Sequence, residues 1–274
     1  MTSARSDARP SAWVDRTSIG GFVAQTLAIA QAEVRKLLRD PTEMVTRAVQ
    51  PVLWLLVFGQ TFSRVHAIPT GRLSYLEFLA PGVLAQGVLF SAIFYGIAVI
   101  WERDLGIVQK LLVSPAPRGA LVLGKALAAG LRGLPQALLV CGLAAALGVK
   151  LALSPLSLAR LLAFVLLGSA TFATLSLTIA CVVKTRERFM GIGQLLTMPL
   201  FFASNAIYPL EMMPSWLQVL ARINPLSYLV DALRASLLAG AASHFGLGID
   251  ALALLLLLAV LTTTAALLYP GLAR

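Results

Sequence analysis

Charge is what this sequence lacks. Only 12% of its 274 residues are Asp, Glu, Lys or Arg, against roughly a quarter in a soluble domain, so an ordinary soluble globule is excluded. Cysteine is nearly absent: Cys141 and Cys181 both lie inside apolar runs, where a thiol serves as a small hydrophobe rather than a disulfide partner or metal ligand. The two histidines, His66 and His244, fall in polar loops, and no paired ligand spacing suits a metal. No G-x-x-x-x-G-K-[ST] run cradles a phosphate, so the chain cannot hydrolyse ATP by itself. The apolar runs also hold few charges, the clear one being Arg132, near enough to an end to snorkel. That argues against a carrier driven by a coupled ion, which binds its ion on an intramembrane carboxylate or histidine. A membrane enzyme acting on lipid finds no convergent nucleophile, base or metal set.

What is present is hydrophobic: 58% of residues, with a mean hydropathy of +0.85. The expected fold is an all-α membrane protein, a single domain over 1–274. A polar tail (1–21) precedes an interfacial helix (22–40), in which Leu27, Ala30, Val34, Leu37 and Leu38 share one face while Gln25, Arg35, Lys36 and Arg39 share the other. No apolar run long enough to span occurs before about Val45, so no cleavable signal peptide is expected. Asp40, Pro41 and Glu43 spell a helix start.

Six spans are expected, at about 45–62, 78–100, 127–149, 158–183, 190–208 and 249–269. Pro51 should kink the first, and Pro81 with Gly82 should interrupt the second. Between the last two, 209–248 is too charged to span and too apolar for a loop. It reads as two short exterior helices, the second opened by Asn224 as N-cap and Pro225 at the first helical position.

Six spans put both termini on one side, and lysine and arginine say which. Fifteen of the 22 lie on the terminal side, in 1–50, 102–125, 184–188 and at Arg274, against six on the other. The termini are therefore expected in the cytoplasm. The net charge of +10 follows from this asymmetry, and no nucleic-acid partner is inferred from it.

The largest polar island, 102–125, then faces the cytoplasm. Glu102, Arg103 and Asp104 precede Leu105, Val108, Leu111 and Leu112 at helical spacing, and Pro115 and Pro117 close the pattern. This reads as one amphipathic helix and turn over 102–118, suited to a partner protein, with Gly106 letting another surface approach; the plain alternative is a solvated loop. Trp54, Phe58 and Phe62 repeat every four residues on the first span, as do Phe90 and Phe94 on the second. Each stripe could stack on a flat ligand or simply pack against lipid or a neighbouring helix. Met212, Met213 and Trp216 could form an adaptable exterior gate or ordinary interfacial packing.

Two groups of residues resemble a known family. Glu102-Arg103, Gly106, Leu111-Leu112, Ser114-Pro115 and Gly124-Lys125 form one; Pro214, Trp216-Leu217, Asn224 to Tyr228 and Arg234 form the other. Together they resemble the permease subunits of type-2 ATP-binding-cassette exporters, the group of daunorubicin-resistance, nodulation-factor and polysaccharide exporters. The resemblance runs from about Ala32 to Tyr269.

It implies a half-transporter that pairs with itself and with two copies of a cytoplasmic ATPase, the partner binding ATP and Mg. Glu102, Arg103, Gly106, Val108, Leu111, Leu112 and Pro115 would then form the coupling segment, and Arg35, Lys36 and Leu38 a second contact. The outer helices would be re-entrant. Cargo is expected to be an amphipathic drug-like molecule or natural product, with a lipid-linked glycan as the alternative and a secondary carrier less favoured. The location implied is a bacterial inner membrane.

Overall fold

The structure is a computed structural model describing residues 19–38, 49–65, 68–71, 73–113, 117–183 and 185–273. Among these residues it is all-helical without a strand; one antiparallel bridge joins Leu151 to Leu238. Helix α1 is Ile19–Leu38. A π-helical stretch, Trp54–Gly59, runs into α2, Gln60–Val65, three residues after Pro51. The expected helix start at Asp40, Pro41 and Glu43 lies outside the described residues.

Helix α3, Tyr75–Asp104, is the centre of the molecule. It is buried along most of its length and packs against α5 (Arg118–Ala146), α6 (Pro155–Val182), α7 (Arg186–Phe202) and α9 (Pro225–Leu237). The expected interruption at Pro81 and Gly82 does not occur. Ser74 accepts the Glu77 N–H while the Glu77 carboxylate accepts the Ser74 N–H, a closed capping box that starts the helix firmly. Pro81 then removes a single backbone bond inside a tightly packed segment, and Gly82 lies directly beneath the backbone of Ala206.

Among the described residues, four helical runs are long and apolar enough to cross a membrane: α3, α5, α6 and Leu247–Gly271, most of which is α10 (Leu247–Leu268). They cover the second, third, fourth and sixth expected spans. Residues 49–65 carry the described part of the first. The fifth is represented by α7, whose 17 residues reach roughly 26 Å at 1.5 Å per residue. It ends at Phe202 rather than 208, because the side chain of Asn224 takes over its last carbonyls: Asn224 Nδ2 donates to Leu200 O at 2.7 Å and to Ala203 O at 2.9 Å.

The same Asn224 caps α9, its Oδ1 accepting the Leu226 N–H at 2.9 Å with Pro225 at the first helical position. Helix α8, Ser215–Ile223, precedes it. At 9 and 13 residues, α8 and α9 are too short to span. The two short helices read from the sequence are thus present.

Candidate functional site

The coupling segment is built differently from the single helix over 102–118. Glu102, Arg103 and Asp104 are the last turn of α3, and a separate helix, α4 (Ile107–Val113), follows. Gly106 makes the break. It sits at φ +70°, a left-handed conformation that costs any residue with a Cβ, and its N–H closes on Arg103 O at 2.9 Å. It ends one helix and aims the next.

Val108 is wholly buried in the chain's own core and Leu111 packs half-buried beside it. These residues fasten α4 down. The outward face is Leu105, Gln109, Lys110 and Val113, the last 86% exposed. The side chain of Leu112, and Pro115 altogether, lie outside the described residues.

Glu102 turns inward. Its Oε2 meets Lys125 Nζ at 2.5 Å, with Lys125 only 1% and Glu102 12% exposed. The Lys125 ammonium and the Arg132 guanidinium lie 5.9 and 5.0 Å from the centre of the Tyr95 ring, within cation–π range. Sequence reading treated Lys125 as the polar edge of a span; the structure makes it a buried tie between α3 and α5.

Beyond the apolar stretch, Asp104 accepts from Arg103 at 3.0 Å and from Arg186 at 2.7 Å. Arg186 also lies 4.1 Å over the Trp101 ring. Arg186 and Trp101 therefore belong to this face, and no sequence spacing linked them to it.

Helix α1 lies along α5. A Cβ on Gly124 would come within 2.7 Å of Ile29 Cβ and 2.9 Å of Thr26 O, so this glycine admits α1 against the helix bearing Lys125. Arg35 is exposed; the side chains of Lys36 and Leu38 lie outside the described residues.

The two aromatic stripes part company. Trp54 stacks on Phe58 at 4.4 Å and meets Phe201 edge-on, and the row continues through Phe62 to Tyr75. Phe90 and Phe94, 6.2 Å apart, instead line a cleft of about 240 Å³ with Gln50, Pro51, Gln86, Gly87, Ser91 and Gln136. The glutamines were not legible as a site, because they come from three separate helical segments.

Among the outer short helices, Met213 is buried against Leu210 and Ala221 while Met212 and Trp216 are exposed. Asp231 and Asp250, unremarked in the sequence, and Arg234, the last residue of the second motif, are all buried. Ser243 Oγ lies 2.8 Å from both Asp231 Oδ2 and Asp250 Oδ2 and accepts the Gly246 N–H at 2.7 Å. Arg234 donates to Asn205 O at 2.8 Å and covers the Phe78 ring at 4.1 Å. This network ties α9 to the start of α10.

Comparison with known proteins places this architecture. The ABC-2 type transporter family model matches residues 24–238. The chain is 27% identical over 216 residues to ycf38 of Cyanophora paradoxa, provisionally named a transport permease, covering 78% of this chain and 74% of the relative. It is 24% identical over 209 residues to the daunorubicin resistance ABC transporter permease protein DrrB1 of Streptomyces coeruleorubidus (76% and 73%). It is 28% identical over 187 residues to nodulation protein J of Rhizobium leguminosarum bv. trifolii (68% and 70%). The chain belongs to the ABC-2 type transporter family, whose members are membrane transport subunits served by a separate ATPase protein.

Proposed function

We propose that this chain is the permease of an ATP-driven exporter that moves an amphipathic drug-like molecule or natural product out of the cytoplasm or inner leaflet of a bacterial inner membrane. It works as a homodimer in lipid, with six spans per copy, both termini cytoplasmic, and two copies of a cytoplasmic ATPase binding ATP and Mg. Drug resistance and nodulation named among its relatives are consistent with such cargo.

The observation that carries the reading is the hinged helix α4. It is fastened underneath by Val108, set at an angle by Gly106, and presents Leu105, Gln109, Lys110 and Val113 outward. Closure of the ATPase dimer on ATP pushes on that face. Because Glu102 is paired to Lys125, the push reaches α3 and α5 together and changes access between the copies. ATP must favour one of the two arrangements for this to do work.

The test is recovery of the ATPase from native membranes with the tagged permease. Leu105→Asp with Val113→Asp changes two exposed side chains, so the fold is retained while ATPase recovery falls at least tenfold. Undiminished recovery with the double variant would remove α4 as the coupling element.

A further inference from the structure

We infer that the cleft beside Phe90 and Phe94 is a binding site for an uncharged, hydrogen-bonding headgroup, hydroxyl or amide in kind, carried on a flat apolar body. This rests on the exporter reading and names the class of cargo that its membrane region recognises.

Three side-chain carboxamides converge on the cleft: Gln50 from the segment before the π-helical stretch, Gln86 from α3 and Gln136 from α5. None of the three makes a side-chain hydrogen bond in the structure, although Gln86 is only 4% exposed. Each carboxamide offers two N–H donors and one carbonyl acceptor. Gln86 is buried, Gln136 half-buried and Gln50 exposed at the mouth, so a ligand entering the cleft meets amide donors and acceptors that have no partner within the chain and whose satisfaction favours binding.

Gly87 is part of the construction. A Cβ there would lie 2.3 Å from Gln136 Nε2, so its bare backbone is what lets the Gln136 amide reach into the cleft from α5.

The lining selects against charge. Among the described residues that form it, none is Asp, Glu, Lys, Arg or His. Carboxamides hydrogen-bond a hydroxyl or amide well, but they do not neutralise an ion taken out of water. The phenylalanines supply the apolar wall, their rings tilted at 48° to one another, as suits a flat body lying against one and edging the other. At about 240 Å³ the cleft falls below the roughly 300–1,000 Å³ of a site that engulfs a drug-sized molecule. It therefore takes one polar end, leaving the rest of the molecule along the helices.

The test uses the full-length permease with its ATPase in lipid discs and three pyrene probes that differ only in headgroup: β-glucoside, trimethylammonium and sulfonate. Binding is read as saturable energy transfer from protein tryptophan to pyrene. The glucoside probe binds tightest. The Gln86→Leu/Gln136→Leu variant, close in volume, weakens it about tenfold, the loss expected from one to two good hydrogen bonds, and leaves the charged probes unchanged. Gly87→Ala weakens the glucoside probe through Gln136 alone.

Equal or tighter binding of either charged probe, or an unaltered glucoside affinity in the glutamine variant, overturns the assignment. So does loss of the homodimer in that variant without saturable probe binding, which would make the carboxamides contacts between copies. ATPase co-purification is scored in the same preparations. Its absence alongside glutamine-dependent probe binding would remove the exporter reading and leave this site standing, and the converse result would do the reverse.

Discussion

Lys125 shows how a residue's meaning changes with its surroundings. In the sequence it is a charge that delays the start of an apolar run; in the fold it is 1% exposed, and its charge is met by Glu102. Removing one member of such a pair leaves the other buried and uncompensated, at a cost of about 3–5 kcal/mol. Lys125→Met is therefore expected to lower the thermal midpoint of the purified permease sharply, and Glu102→Leu on top of it should restore most of the loss. A double variant no better than the single would show that the pair is not what holds α3 to α5 here. The motif residues Gly124 and Lys125 were legible as a family signature, but the pairing was not: 23 residues separate the partners, and periodicity carries no information across a break. The same holds for Arg186 on Asp104 and for the carboxyls joined by Ser243, where contact is made between elements whose order in the chain says nothing of their distance.

At the scale of elements, local chemistry was a good guide to starts and a poor one to stops. Asn224 with Pro225 marks the start of α9 in sequence and in structure, since an N-cap is a matter of one side chain and the next few N–H groups. That the same side chain would also end α7 needed the fold, because its donors reach back more than 20 residues. The two roles can be separated by substitution. Asn224→Ala loses cap and both donated bonds, about 2–3 kcal/mol in all, whereas Asn224→Asp keeps the acceptor for Leu226 N–H and loses only the donors. Hydrogen exchange should therefore show residues 200–206 loosened by both variants and the first turn of α9 loosened by alanine alone. Equal protection of that first turn in the two variants would contradict the division. The 102–118 segment differs in the same way: apolar spacing from Val108 to Leu112 falls in a helix, yet Leu105 and the left-handed Gly106 form a turn before it, and Val108 is buried.

For the whole molecule, the distribution of lysine and arginine carries the strongest expectation, that 102–125 and 184–188 share a side with the termini and that α8 lies opposite. With Cys141 and Cys181 replaced by alanine, a membrane-impermeant maleimide applied to intact cells should label Ser215→Cys and spare Gln109→Cys, both exposed positions, and inside-out vesicles should reverse the pattern. Labelling of both from one side would break the six-span topology. By itself the sequence determined the all-helical class with several apolar helices, the two short helices before the last long one and the family, because hydropathy over roughly 20 residues and capping chemistry are local properties. Only the tertiary structure decided that Glu102 pairs with Lys125, that Phe90 and Phe94 line a cleft while Trp54 and Phe58 stack in a row toward Tyr75, and that three glutamines from three helical segments meet. The physical reason is that helices hydrophobic on nearly every side leave no stripe in the sequence to say which face meets which neighbour. That choice is made by close contacts such as Gly124 against Ile29 and Gly87 beneath Gln136, which exist only once the chain has folded.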